Sequence, residues 1–192
     1  EGSGKSFHIN NVANYLKKIN RKFIRIREPG GSKNSEKIRK LILDNKSSFN
    51  VNTDLLLYMS ARSENINLIK KNYKKKIILI DRFVDSTIAY QHYGFGVDIK
   101  IINLINKFLL KNIKVTFTFL NIVSLKNMNN RLKKRKKLNR YDKFNTVFYN
   151  KVQKGFLDIL KKKKNKYLKV NSNLEINLNK KLIINKIKKL IK

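Results

Sequence analysis

Apolar positions recur every three or four residues along most of this chain, and a few short runs break that rhythm by alternating or by staying apolar throughout. Ile9, Val12, Ala13 and Leu16 share one face of a helix predicted from Lys5 to about Lys18. Lys22–Arg27 (KFIRIR) alternates and predicts a strand, ended sharply by Glu28-Pro-Gly-Gly31. Helical periodicity returns over Ser35–Leu43 and again over a long Thr53–Lys74, apolar early and basic late. Ile77-Ile-Leu-Ile80 is a buried-type strand stopped by Asp81-Arg82. Helices are predicted at about Asp85–His92 and Ile99–Leu110, a strand over Val115–Leu120, and a basic helix over Ser124–Lys136. Phe144–Lys162 is helical, Tyr167–Val170 a short strand, and Glu175–Ile191 a closing helix.

Strands that alternate with helices argue an α/β fold, a parallel sheet flanked by helices. Right-handed crossovers then bring the strand ends, and the site, to one edge. No repeat or linker divides residues 1–192, so a single domain is expected.

Composition narrows the choices. At 192 residues with 41% hydrophobic content, the chain can build a real core. No apolar run is long enough to cross a membrane. The absence of Cys excludes disulfides and thiolate metal sites and fits a reducing cytosol. His8 and His92 are too few and too scattered for a His-based metal site. A net charge of +34 would ordinarily suggest nucleic acid. The Lys is spread along the whole chain, however, and travels with Asn and Ile, as an AT-rich coding bias would produce. The densest runs, Lys70–Lys76, Arg131–Lys137 and Lys161–Lys166, read as solvated helix faces or ends.

Against that background the rare residues carry information. Pro29 is the single proline, and six of the seven glycines fall in pairs: Gly2/Gly4, Gly30/Gly31 and Gly94/Gly96. Paired glycines beside charges mark loops that approach a ligand. Glu1-Gly-Ser-Gly-Lys5-Ser6 is the end of a P-loop signature whose opening Gly would lie two residues before Glu1. Glycines let successive N–H groups face a phosphate, and the following helix adds its positive end. A Gly/Ser-rich chain end that happens to contain Gly-Lys is the plainer reading of those six residues.

Asp81 closes an apolar strand, where P-loop enzymes keep the carboxylate that manages Mg²⁺, and Arg82 suits a grip on phosphate. A surface salt bridge would use the same pair. Tyr58 and Arg62 lie four apart on one helix face, an aromatic plane beside a guanidinium, able to hold a base or simply to pack. Tyr90-Gln91 and Gly94-Phe-Gly96 say little singly.

Taken in order, EGSGKS, REPGG, LLLYMSAR, DRFVDSTIAYQ and NRYD resemble the bacterial-type thymidylate kinases, from Glu1 to about Phe156 and more loosely beyond. The resemblance implies a P-loop fold of the nucleoside-monophosphate-kinase type and transfer of the ATP γ-phosphoryl group to dTMP with Mg²⁺. It also implies a cytoplasmic homodimer, for which Thr53–Lys74 and its neighbours are candidate contact elements.

Carried onto matching positions, it gives Gly2, Ser3, Gly4, Lys5 and Ser6 to the ATP phosphates, and Ser6 and Asp81 to Mg²⁺. Lys5, Asp81 and Arg82 would be catalytic. Glu1 would meet the acceptor's 3′-hydroxyl, Tyr58 would stack on the base, Arg62 would reach its edge, and Arg82 would hold the acceptor phosphate. Tyr90 would pack on the deoxyribose, Thr87 and Gln91 would lie near the base, and Arg27 and Pro29 would wall the pocket. Gly2 stands where some relatives keep an Arg, which moves the expected catalytic Arg to a lid at about residues 131–143. Arg135 is the first choice there, with Arg131 and Arg140 also placed toward ATP.

The chain departs from the family at Phe7, at Phe95, and at Ile113-Lys114, where Pro-Asp is usual. The first strand, central in this sheet, is missing, and a longer N-terminus is expected. A kinase for another nucleoside monophosphate, a basic nucleic-acid-binding protein on this scaffold, and an inactive fragment remain the alternatives.

Overall fold

Short polar side chains decide where most of the helices begin. Ser32, Asn50, Asp98, Ser124 and Asn145 each accept a hydrogen bond from a backbone N–H two or three residues ahead. These groups satisfy donors that have no partner within a helix. The computed structural model describes residues 2–191.

The order is α1 (Lys5–Lys18), β1 (Phe23–Arg27), α2 (Lys33–Leu43), α3 (Val51–Asn72), β2 (Ile77–Asp81), α4 (Val84–Thr87), α5 (Ile99–Leu110), β3 (Thr118–Ile122), α6 (Leu125–Lys133), α7 (Thr146–Lys162), β4 (Tyr167–Asn171) and α8 (Ile176–Leu190). Single turns of 3₁₀ helix occur at Arg140–Lys143 and Lys164–Lys166.

All four strands pair in parallel, β1 with β2 and β3 with β4. Among the described residues β2 bonds only to β1 and β3 only to β4, so each strand has one unpaired edge. Every residue of the apolar β2 stays partly exposed. Helices cover both faces. Val12 and Leu16 of α1 and Ile183 and Ile187 of α8 pack with Val170, Ile77, Leu79 and Phe119, and so bind both strand pairs into one core. On the other face Ile66 and Ile69 of α3 meet Ile26, Ile78 and Ile80.

Several boundaries moved. Strand β3 begins at Thr118 and not at Val115, because Thr118 is the first residue with a partner, Tyr167, on β4. The cap at Asn50 starts α3 two residues before Thr53. The helix expected at Asp85–His92 is α4 followed by a π-helical stretch, Ile88–Gly94. The basic helix stops at Lys133, short of Lys136, and α7 begins at Thr146 behind its Asn145 cap.

Candidate active site

The C-terminal ends of β1 and β2 lie side by side, with Arg27 paired to Asp81 in register. The loop before α1 reaches the same edge of the sheet. Ser3 O accepts from Asn121 Nδ2 of β3 (3.2 Å) and from Ser172 Oγ just beyond β4 (2.9 Å). A cleft of about 550 Å³ opens along this edge.

Its donor end is built from main chain. Gly2 and Gly4 are both left-handed, with φ of 62° and 77°. That conformation tilts successive N–H groups toward one point and hands the chain to α1. Lys5 and Ser6 line the cleft. Asp81 lines it too, and its buried Oδ1 has no hydrogen-bond partner among the described residues. A cradle of N–H groups, an ammonium, a hydroxyl and an unpaired carboxylate oxygen fit a nucleoside triphosphate with a divalent cation. Arg82 sits at φ 66°, a strained conformation for a side chain of its size, and its guanidinium lies 5.2 Å from the Tyr90 ring centroid.

The acceptor end is built from side chains. Arg62 of α3 is only 2% exposed. It donates from Nε to Glu28 Oε2 (2.8 Å), from Nη1 to Asn106 Oδ1 (2.7 Å) and from Nη2 to Thr87 Oγ1 (2.9 Å). Burial pushes the Glu28 carboxyl up, against the opposing pull of Arg62. Arg27 grips Glu36 with two hydrogen bonds, of 3.0 and 2.8 Å. Tyr58 and Tyr90 line the cleft, each meeting Tyr141 edge-on at 5.8 Å between ring centroids. Burial holds the Tyr58 phenol above its ordinary range. Gln91 is 1% exposed, lines the cleft, and has neither amide atom paired among the described residues. It sits in the π-helical stretch, a widened turn of the kind that collects at functional sites.

The structure therefore brings Lys5, Ser6, Arg27, Pro29, Tyr58, Arg62, Asp81, Arg82, Thr87, Tyr90, Gln91 and Arg135 to one cleft. Glu1 falls outside the described residues. Of the three lid arginines only Arg135 lines the cleft, held by Asp142 at 2.8 Å. Arg131 and Arg140 are not among the residues that line it. Arg131 donates to the backbone oxygens of Gly2 (2.8 Å) and Ser172 (2.7 Å), bracing the glycine loop. Arg140 bonds Asp54 and the Ile42 carbonyl. Phe95, which departs from the family pattern, packs into an aromatic cluster with Tyr141, Phe144 and Phe148.

Some functional neighbours were not legible in sequence. Arg39 lines the cleft, donates to the Pro29 carbonyl at 2.6 Å, and has its pKa lowered by burial and by nearby Arg27. It sits inside Lys37-Ile-Arg-Lys40, where nothing sets it apart from its basic neighbours. Glu28, Asn106 and Tyr141 escaped because their partners are distant in the chain. The i, i+3 relation of Glu36 to Arg39 was the one available hint.

Comparison with known proteins agrees with this geometry. The family model described as Thymidylate kinase matches residues 1–183. The thymidylate kinase of Thermosipho africanus is 35% identical over 170 residues, covering 88% of this chain and 84% of that relative. That of Wolbachia pipientis wMel is 39% identical over 164 residues, covering 83% and 80%. The crystal structure of thymidylate kinase from Ehrlichia chaffeensis superposes with a TM-score of 0.77 at 29% identity, covering 98% of this chain and 93% of that one. With its glycine cradle at one end of the cleft and its buried Arg62 at the other, the chain belongs to the thymidylate kinase family, on the P-loop fold of the nucleoside monophosphate kinases.

Proposed function

We propose that this protein transfers the γ-phosphoryl group of ATP to dTMP, giving ADP and dTDP. The observation that carries the reading is one cleft that brings Lys5, Ser6 and Asp81 together with Tyr58, Arg62, Tyr90 and Gln91. Residues 2–6 bind the ATP phosphates, with Lys5 neutralising charge at the transferred group. Ser6 and Asp81 hold Mg²⁺, which when bound shields charge on the phosphate oxygens. Arg82 holds the acceptor phosphate in line. Arg135 reaches the transferred group from a lid spanning about residues 131–143. Catalysis is positioning plus charge neutralisation, with no covalent intermediate. Tyr58 stacks on the base, Arg62 and Gln91 face its edge, Tyr90 packs on the sugar, and Arg27, Arg39 and Pro29 wall the pocket.

We also infer a cytoplasmic homodimer. Leu56 on α3 and Ile101, Leu104 and Phe108 on neighbouring α5 are exposed apolar residues that a partner would cover. No described helix is long and apolar enough to cross a membrane.

The test is turnover of dTMP, dUMP, CMP and GMP by the full-length protein with ATP and Mg²⁺. dTMP is expected to be the preferred acceptor. Preference for another acceptor defeats the reading, as does salt-dependent DNA binding with no ATP turnover.

A further inference from the structure

We propose that Asp54 is a positioning residue that fastens the lid to the acceptor pocket, so that a bound base sets the placement of Arg135. The inference rests on the roles proposed above for Tyr58 and Arg135.

Asp54 lies in the first turn of α3, where an acid ordinarily stays exposed and serves the helix dipole. Here it is 3% exposed, and the helix is already capped by Asn50. Burying a carboxylate is costly unless both oxygens are paired. Both are, and by residues of the lid segment. Oδ1 accepts from Arg140 Nη2, and Oδ2 accepts from Tyr141 Oη. Arg140 adds a bond from Nε to the Ile42 carbonyl at 3.1 Å, so the clasp also grips the end of α2.

The clasp has an end at each half of the cleft. Tyr58 stands one helical turn after Asp54, and the Tyr141 ring meets it at 90°. A base stacked on Tyr58 therefore presses on a residue whose hydroxyl Asp54 holds. The next residue, Asp142, closes the other end. Its Oδ1 accepts from Arg135, and its Oδ2 accepts from the Asn139 backbone N–H at 3.1 Å. Asn139 and Asp142 form a reciprocal capping box, which makes Asn139–Asp142 one stiff turn. A shift of Tyr141 thus moves Asp142, and with it the Arg135 guanidinium. If the Asp54 bonds are cut, the turn keeps its internal geometry but loses its register on α3.

The experiment uses the full-length protein, Asp54→Asn, Asp54→Glu and the milder Tyr141→Phe, which deletes one hydroxyl. The affinity of a non-hydrolysable ATP analogue is measured by calorimetry with and without dTMP. In the wild type dTMP is expected to tighten the analogue about fivefold or more, within the usual range of coupling between sites. In Asp54→Asn and Tyr141→Phe that factor should fall toward one while the analogue alone binds as in the wild type. The value of kcat should drop about tenfold with little change in the KM for ATP. Asp54→Glu should restore part of the coupling. Unchanged coupling in folded variants overturns the proposal, as does a wild type without coupling. Unfolding of both Asp54→Asn and Tyr141→Phe also overturns it, because the clasp then serves folding alone. Absence of wild-type dTMP turnover is a separate result, and it defeats the functional reading first.

Discussion

The two ends of the cleft are held in opposite ways. At the acceptor end side chains hold side chains: Arg62 on Glu28, Asn106 and Thr87, and Arg27 on Glu36. At the donor end side chains hold main chain, with Asn121, Ser172 and Arg131 bonded to the carbonyls of Gly2 and Ser3. The Asp81 oxygen turned into that end is unpaired among the described residues. The acceptor end spends its polar groups on its own architecture and offers a shaped surface. The donor end is braced through the Gly2 and Ser3 carbonyls and leaves the Asp81 carboxylate oxygen toward the ligand. Substitutions should therefore separate stability from activity at one end and couple them at the other.

The largest expected effect is at the donor end. Lys5→Met should lower kcat on the order of a thousandfold, the scale of losing one preorganised charge stabiliser. Its urea unfolding midpoint should stay near the wild type. A large shift of that midpoint would erase the contrast. At the acceptor end Arg62→Met should cost about 3–5 kcal/mol of stability, because it leaves Glu28 buried without its cation. Burial raises the Glu28 carboxyl above its unfolded-state value, with Arg62 pulling against it. Stability tied to the carboxyl proton is present at low pH and lost as pH rises through the folded-state value. The Arg62→Met deficit should accordingly shrink toward acid pH, as measured by urea titrations at several pH values.

Gln91 sharpens the comparison, being an acceptor-end residue with donor-end behaviour. Its amide has no partner among the described residues, so Gln91→Leu should leave stability almost unchanged. The KM for dTMP should rise by about ten- to a hundredfold, the cost of one missing buried hydrogen-bond partner. Steady-state kinetics beside a thermal melt reads both.

The smallest effect is at Arg27–Glu36. The hydrogen bonds from Arg27 hold the Glu36 carboxyl below the ordinary carboxylate range. That stability is present above the unfolded-state value and fades as pH falls through the lower folded one. The pair is well exposed to solvent, so Glu36→Gln should cost less than about 1 kcal/mol at neutral pH. It should flatten the acid side of the melting profile below about pH 5.

The sequence disclosed the donor end more fully than the acceptor end, and the reason is locality. The cradle is made by residues 2–6 in succession, and Asp81-Arg82 ends an apolar run, so spacing alone exposes the chemistry. Arg62 was visible through its helical distance from Tyr58, but its partners come from Glu28, Thr87 and Asn106, which no local pattern joins to it. Nothing local marks Asp54 within its helix, and only the fold places Arg140 and Tyr141 on it. Among the arginines of residues 131–143, Arg135, the first choice, lines the cleft, but in a chain this rich in Lys and Arg neither charge nor spacing could show that Arg131 bonds the Gly2 and Ser172 carbonyls.

The parallel pairing has a consequence for how the molecule reaches this shape. Each strand pair joins segments roughly fifty residues apart, so no tight turn can set either register during folding. A helical segment has to dock on β1 before β2 can find it, and the same holds for β3 and β4. The search for those two distant pairings, and not the formation of the many helices, should set the pace at which the cleft first appears.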